Sequence, residues 1–264
     1  MLKHCVAFAV GLLALPSAAW AGAWTLPEGV GQWYATLTSS TSTNYVEGSS
    51  GLMPTSRYNK DEMSLLIEYG IINHLTGIFD PGLQHVDIAP PTSAERTGLG
   101  YTEFGARYEF FEVPTWVVSA QATLRIPGTT DVANPAALGY NEVEADFRLL
   151  AGHNLKIGDM SGFFDVEVAE RVRTAGAPSE FRVDGTFGLT FCPSWTLLVQ
   201  SFNVVSEGSG NAIYGGAYDY EKLQLSLLYT IVPKWWLQFG GFSTYAGQNA
   251  LQENGLLVGV WHQF

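Results

Sequence analysis

The chain is short of cysteine, of basic charge and of long apolar runs, and each shortage excludes something. Cys5 and Cys192 are its only cysteines. Cys5 falls in an amino-terminal leader, so Cys192 is left alone, and neither a disulfide framework nor a cluster of metal-binding cysteines is available. Thirteen Lys and Arg face 25 Asp and Glu, and removal of Lys3 with the leader leaves twelve bases against 25 acids, a net charge of −13. Such an acidic balance argues against nucleic acid as a partner. Hydrophobic residues make up 47% of the chain, yet after the leader there is no run of 18 apolar residues, which excludes α-helical membrane spans. Any insertion into a bilayer must be by strands. Catalytic signatures are sparse too: Gly-x-Ser-x-Gly does not occur, and the histidines left in the mature chain are His74, His85, His153 and His262. An enzyme would need His85, with Asp87 close by, to meet a loop serine. The expectation is no enzyme, no catalytic residue, no metal and no cofactor.

What is present begins with the leader. Lys3 supplies a positive start, Cys5 to Leu15 an apolar core too short to span a bilayer, and Ala19 to Ala21 a small-x-small cleavage site ahead of Gly22. Residues 1-21 are therefore expected to be a cleavable Sec signal peptide, 22-30 a periplasmic segment, and 31-264 a single folded unit.

Along that unit, apolar and polar residues alternate with period two, the signature of strands with two unlike faces. Met63, Leu65, Ile67 and Tyr69 alternate with Glu62 and Glu68, and Phe104, Ala106, Tyr108 and Phe110 with Glu103, Arg107 and Glu109. Val118 to Leu124 alternates with Ser119 to Arg125, and Val143, Ala145, Phe147 and Leu149 with Glu142, Glu144, Asp146 and Arg148. Phe164, Val166 and Val168 oppose Asp165, Glu167, Arg171 and Arg173. Val183 and Phe187 oppose Arg182 and Asp184, and Leu223 to Tyr229 opposes Lys222. Periodicity alone fits either a soluble sandwich with an apolar core or a membrane barrel with an apolar exterior and a charged lumen.

The turns decide between them. Pro-x-Trp corners recur at Trp116, Trp195 and Trp235, and short connections also fall near Asn73 and Gly158. Each interval between them holds two strands and one long loop rich in Gly, Ser, Asn and Pro. Short turns on one side and long loops on the other are the asymmetry of a transmembrane barrel. Strands are expected at about 31-40, 60-71, 75-86, 100-111, 116-126, 140-152, 162-173, 180-191, 195-206, 218-230, 235-246 and 255-264. The fold class is thus all-β, a transmembrane antiparallel up-and-down β-barrel of about twelve strands with both termini at the periplasmic side. Trp116, Trp195 and Trp235 would sit in the membrane-interface girdle. A barrel of this size has a backbone diameter of about 24 Å, of which lining side chains fill about half. The charged residues named above would line its lumen, either as a mutually paired network that stiffens the interior or as a path of separated charge for polar solutes. Glu142, Glu144 and Asp146, facing Arg107, Arg125, Arg171 and Arg173, are the place to look. Trp24, Leu26 and Pro27, ahead of the first strand, read equally as a plug for the periplasmic mouth, a contact for a periplasmic partner, or a plain linker.

The last ten residues, Gly255 to Phe264, form a strand that stops on an aromatic residue, with Leu256, Val258, Val260 and Phe264 on one face, interrupted by His262. This ending resembles the assembly signal of bacterial outer-membrane β-barrels. The resemblance implies the outer membrane of a Gram-negative bacterium as location, and outer-membrane lipids and the barrel assembly machinery as partners. Residues 21-32, Ala-Gly-Ala-Trp-Thr-Leu-Pro-Glu-Gly-Val-Gly-Gln, look like the mature start of Xag-type proteins, found with adhesin or biofilm polysaccharide genes. Residues 68-73 and 105-108 are similar to a porin-like family associated with phenol meta-pathway degradation. The first likeness implies a part in surface polysaccharide export alongside secretion components, the second uptake of small aromatic compounds. A sealed structural or adhesive barrel stays open beside them.

Overall fold

The computed structural model describes residues 22–47, 51–129, 134–139, 142–174, 176–210 and 216–264. The expected leader, 1–21, lies outside them, as do parts of the loops expected at 40–59, 127–139 and 207–219. Among the described residues twelve strands form one sheet: β1 (Gly31–Glu47), β2 (Leu52–Ile72), β3 (Leu75–Ile88), β4 (Ala94–Val113), β5 (Trp116–Ile126), β6 (Glu144–Ile157), β7 (Met160–Val172), β8 (Glu180–Cys192), β9 (Trp195–Ser206), β10 (Asp219–Val232), β11 (Trp235–Leu251) and β12 (Asn254–Gln263). Each pairs antiparallel with its sequence neighbours, and β1 pairs with β12, so the sheet closes as a barrel. Closure runs from Gln32 opposite Gln263 to Thr41 opposite Asn254. Full pairing leaves no edge strand with unsatisfied backbone groups, the condition for placing a sheet in hydrocarbon.

At one end of the barrel the five turns are two residues each, at 73–74, 114–115, 158–159, 193–194 and 233–234. His74, Gly158 and Lys234 take the left-handed conformation, with φ of 66°, 62° and 69°, that tight hairpins demand. Longer connections gather at the other end, with β11 to β12, at 252–253, as the short exception. Several strands are longer than the sequence pattern indicates. β2 begins at Leu52 instead of residue 60, β4 at Ala94 instead of 100, β1 runs to Glu47 and β11 to Leu251. The expected loops at 40–59 and 88–99 are thus largely strand, carried above the lipid level. Polar residues can pair in a ladder there without an apolar face, so alternation stops marking the strand before the hydrogen bonds stop. The top of β1 even reaches past the short β12 to pair with β11, through Tyr45 opposite Leu251.

Burial is inverted relative to a soluble protein. Leu256 is 72% exposed, Leu149 60% and Phe147 56%, whereas Glu144 is 0%, Asp165 1% and Asp146 2%. An apolar belt of this extent costs heavily against water and nothing against lipid. The two-residue turns aim aromatic side chains at the edge of the belt. Trp116 lies 4.3 Å from the His153 ring, Trp195 4.7 Å from Tyr229, and Trp235 4.0 Å from His262, with Trp33 5.6 Å away. His262 therefore does not break the outer face of β12: it stacks into the aromatic ring of residues at the short-turn end.

Candidate functional site: the lumen and its amino-terminal segment

Inward positions of β4 to β8 carry most of the charge. Near the long-loop end, Arg125 is ion-paired to both Glu103 and Glu144. Arg173 reaches Glu144 at 2.7 Å and Glu180 at 3.0 Å, and Arg171 reaches Asp146 at 3.0 Å. Arg182 approaches Glu180 at 3.4 Å. Tyr218 closes the group, its hydroxyl donating to Glu180 at 2.5 Å and accepting from Arg173 at 2.8 Å. Midway down, Arg148 bridges Glu167, Asp184 and Asp146. Glu142 precedes β6 instead of lying in it, and accepts the backbone amides of Thr174 and Ala177, pinning the connection from β7 to β8. On the facing wall Lys60 pairs with Glu62 and Lys222 with Glu253.

One expected grouping is corrected. Arg107 does not join Glu144 and Asp146: it sits lower on β4, where its Nη2 meets Glu68 at 2.9 Å and its Nε meets Gln121 at 3.1 Å. Residue type places it with the other bases, but strand register sets it level with Arg148, two residues below Asp146 and four below Glu144 and Arg125. Lys60, Glu180 and Glu253 were absent from the expected lining. Lys60 and Glu180 each lie two residues from an expected lining charge, Glu62 and Arg182, so the period-two rule reaches them once the strands are extended upward. Glu253 sits in a turn and carries no periodic signal.

Across from the charged wall, β9 to β12 and β1 offer amides and aromatic rings. Gln224 donates to Gln200 at 2.8 Å and Gln238 to Ser226 at 2.7 Å. Below them Tyr34 and Trp261 approach with ring centroids 4.5 Å apart. Trp236 and Trp261 face inward, unlike their girdle counterparts, so tryptophan type alone does not report the side of the wall.

Residues 22–30 lie across the lumen at the short-turn end. The Ala23 amide donates to Asp165 at 3.0 Å, and the Ala23 carbonyl accepts from Ser119 at 2.8 Å. Arg107 donates to the Trp24 carbonyl at 3.0 Å. Thr25 donates to Glu109 through both its amide, at 3.2 Å, and its hydroxyl, at 3.0 Å. The Leu26 amide donates to Thr76 at 2.8 Å, and Gly29 and Val30 exchange backbone bonds with Gly70 at 2.9 Å. These partners span β2, β3, β4, β5 and β7. The Trp24 ring meets Phe163 edge-on at 6.1 Å and lies so close to Gly152 that a Cβ there would overlap it. Ala23 and Leu26 are buried and Trp24 is half-buried. The segment thus fills the mouth on the charged side and leaves two spaces. A cavity of about 850 Å³ at the long-loop end is lined by Tyr101, Tyr218, Tyr220, Arg125, Arg173 and Lys222 among others. A smaller one of about 220 Å³ lies beside the segment, between Trp24 and Arg107 on one side and Tyr34, Trp236 and Trp261 on the other.

No family model matches the sequence, and no curated protein matches it. Solved structures do match in shape. The COG4313 outer membrane channel from Pseudomonas putida F1 superposes with a TM-score of 0.72 at 14% identity, covering 91% of this chain and 97% of the channel. The translocator domain of the autotransporter NalP from Neisseria meningitidis gives 0.53 at 10% identity over 90% of each chain, and the NanC porin 0.52 at 10% identity over 86% of this chain and 98% of the porin. At such identities the likeness is one of fold. The fold is that of an outer-membrane β-barrel, and its lipid-facing belt sets it in the bacterial outer membrane. The finer likenesses to Xag-type proteins and to the phenol-pathway family rest on their short segments alone.

Proposed function

We propose that this barrel is a non-enzymatic pore for small solutes, with the 22–30 segment setting its bore. The observation that carries this reading is the division of the lumen. A wall of mostly ion-paired charges stiffens one side and holds the segment, while the amide and aromatic wall opposite leaves a separate space beside Trp24. The paired charges act as scaffold, because each is held by partners that a passing solute would have to replace. Small aromatic compounds suit the lower space best, since Trp24, Tyr34, Trp236 and Trp261 offer ring faces and edges in about 220 Å³. A role in surface polysaccharide export is the weaker reading, because a polymer would have to displace the whole segment. Catalysis has no support in His85, whose Nδ1 lies 2.8 Å from Thr97 on the outer face of the barrel.

Single-channel recording of the purified, refolded protein in planar bilayers tests the proposal, alongside a variant lacking residues 22–29. Small openings in the full chain and larger ones in the truncated chain are expected. Silence from both, with folding verified by heat-modifiable mobility, would overturn the pore and favour a sealed structural barrel.

A further inference from the structure

Asp165 is 1% exposed and points into the lumen from β7, yet it has no cationic partner within 4.0 Å among the described residues. One of its oxygens accepts the Ala23 amide, and the other, Oδ1, has no hydrogen-bond partner among the described residues. Its neighbours in the lumen wall are well served. Glu167 has Arg148, Glu144 has three arginines, and Asp146 has two. An unpaired buried carboxylate is costly unless it takes up a proton or something supplies a positive charge. The backbone that passes in front of Asp165 and Glu167 is Gly22 and Ala23, and Gly22 lies so close that a Cβ on it would strike Glu167 Oε1.

We infer that Asp165 and Glu167 form a receptor for the α-ammonium group released at Gly22 when the leader is removed. Hydrolysis of the bond between Ala21 and Gly22 by a signal peptidase consumes one water. The hydroxyl goes to the Ala21 carbonyl and the proton to the Gly22 nitrogen, which takes a second proton from solvent. A peptide N–H with one donor becomes an ammonium with three donors and a full positive charge, one residue from the amide already bonded to Asp165. The missing cation of the lumen is thereby produced by processing of the chain itself. Docking of the segment then depends on maturation, because an unprocessed chain presents a neutral amide and a bulky continuation where the site takes a small charged end. Glycine at position 22 fits this role, since a side chain there would collide with Glu167.

The inference assumes cleavage after Ala21 and does not require that the barrel conduct. Its test is therefore chemical. Protein isolated from outer membranes is weighed to fix its first residue, then treated with an amine-acylating reagent, and acylation of the α-amine is followed by mass spectrometry against that of the exposed Lys156. In the native chain the α-amine is expected to react at least tenfold more slowly than in Asp165→Asn or in Glu167→Gln. A chain refolded with Ala21 retained keeps both carboxylates but displaces its ammonium by about 3.5 Å, one residue of extended chain, and should lose the protection too. Heat-modifiable mobility confirms folding of each. A mature chain beginning anywhere but Gly22 would overturn the inference, as would an α-amine equally reactive in native protein and in all three altered chains.

Discussion

Gly31 and Phe264 exchange two backbone hydrogen bonds, the Gly31 amide donating to the Phe264 carbonyl at 3.0 Å and the Phe264 amide to the Gly31 carbonyl at 2.8 Å. The first residue of β1 and the last residue of the chain thus complete the closing ladder, and the Phe264 ring, 51% exposed, covers Gly31 so closely that a Cβ there would overlap it. Removing Phe264 should cost about 1–3 kcal/mol, two net backbone bonds at about 0.5–1.5 kcal/mol each. Urea titration of the refolded chain should show this as a lower midpoint with unchanged slope. An unaltered midpoint would mean that β12 closes without its last residue.

Arg107 joins the scaffold to the segment, holding Glu68 with one nitrogen and the Trp24 carbonyl with another. Arg107→Ala would leave Glu68, also bonded by Gln32 at 2.5 Å, as a buried carboxylate without its cation. A destabilisation of about 3–5 kcal/mol is expected. Arg107→Ala combined with Glu68→Gln should recover much of it, because the stranded charge is gone. If the double variant is as unstable as the single one, the loss comes from the Trp24 carbonyl and Gln121 contacts instead.

Glu253 sets the acid limit of the long-loop end. Burial would raise its carboxyl, but Lys222 and Lys60 hold it below the usual glutamate value of 4.5. A folded-state value below the unfolded one stabilises the fold above the unfolded value and stops doing so as pH falls through the folded value. The difference in urea midpoint between the native chain and Glu253→Gln should therefore be largest above pH 4.5 and shrink in more acidic solution. A difference constant with pH would show that the ion pair with Lys222, at 2.8 Å, contributes little.

The barrel was legible because two independent patterns agree. Alternation such as Glu142 to Leu149 fixes which side chains share a face, and Pro-x-Trp corners fix which strand ends share a side of the membrane. Neither pattern extends beyond the lipid, so in the sequence the tops of β1, β2 and β4 look like loop. Nor does face membership give depth: Arg107 and Arg125 are indistinguishable by alternation, yet one holds the amino-terminal segment and the other the outer charge cluster. The docking of residues 22–30 was the least legible feature. Its contacts with Asp165, Ser119, Arg107, Glu109 and Thr76 run mostly through backbone groups, which every residue possesses and no motif records.

Gly152 offers a way to move the segment without touching any charge. It faces inward on β6, and the Trp24 ring rests where its side chain would be. Gly152→Val keeps the strand pairing and suits a β-strand, so the barrel should assemble, while the added methyl groups exclude the ring. Overpacking of this kind costs about 1–3 kcal/mol if the neighbour cannot leave and less if it can. The neighbour here is a segment held at one end by β1 and otherwise by a handful of hydrogen bonds, so displacement of Trp24 is the expected response. Trp24→Ala in the native background would enlarge the lumen by the opposite route, removing the ring instead of evicting it. Both substitutions should raise single-channel conductance above that of the native chain, and the pair together should add little to either. An increase from Trp24→Ala with none from Gly152→Val would mean that the ring swings aside while the segment stays docked. Conductance unchanged by both would place the constriction elsewhere, at the charge cluster of Arg125, Glu144 and Arg173.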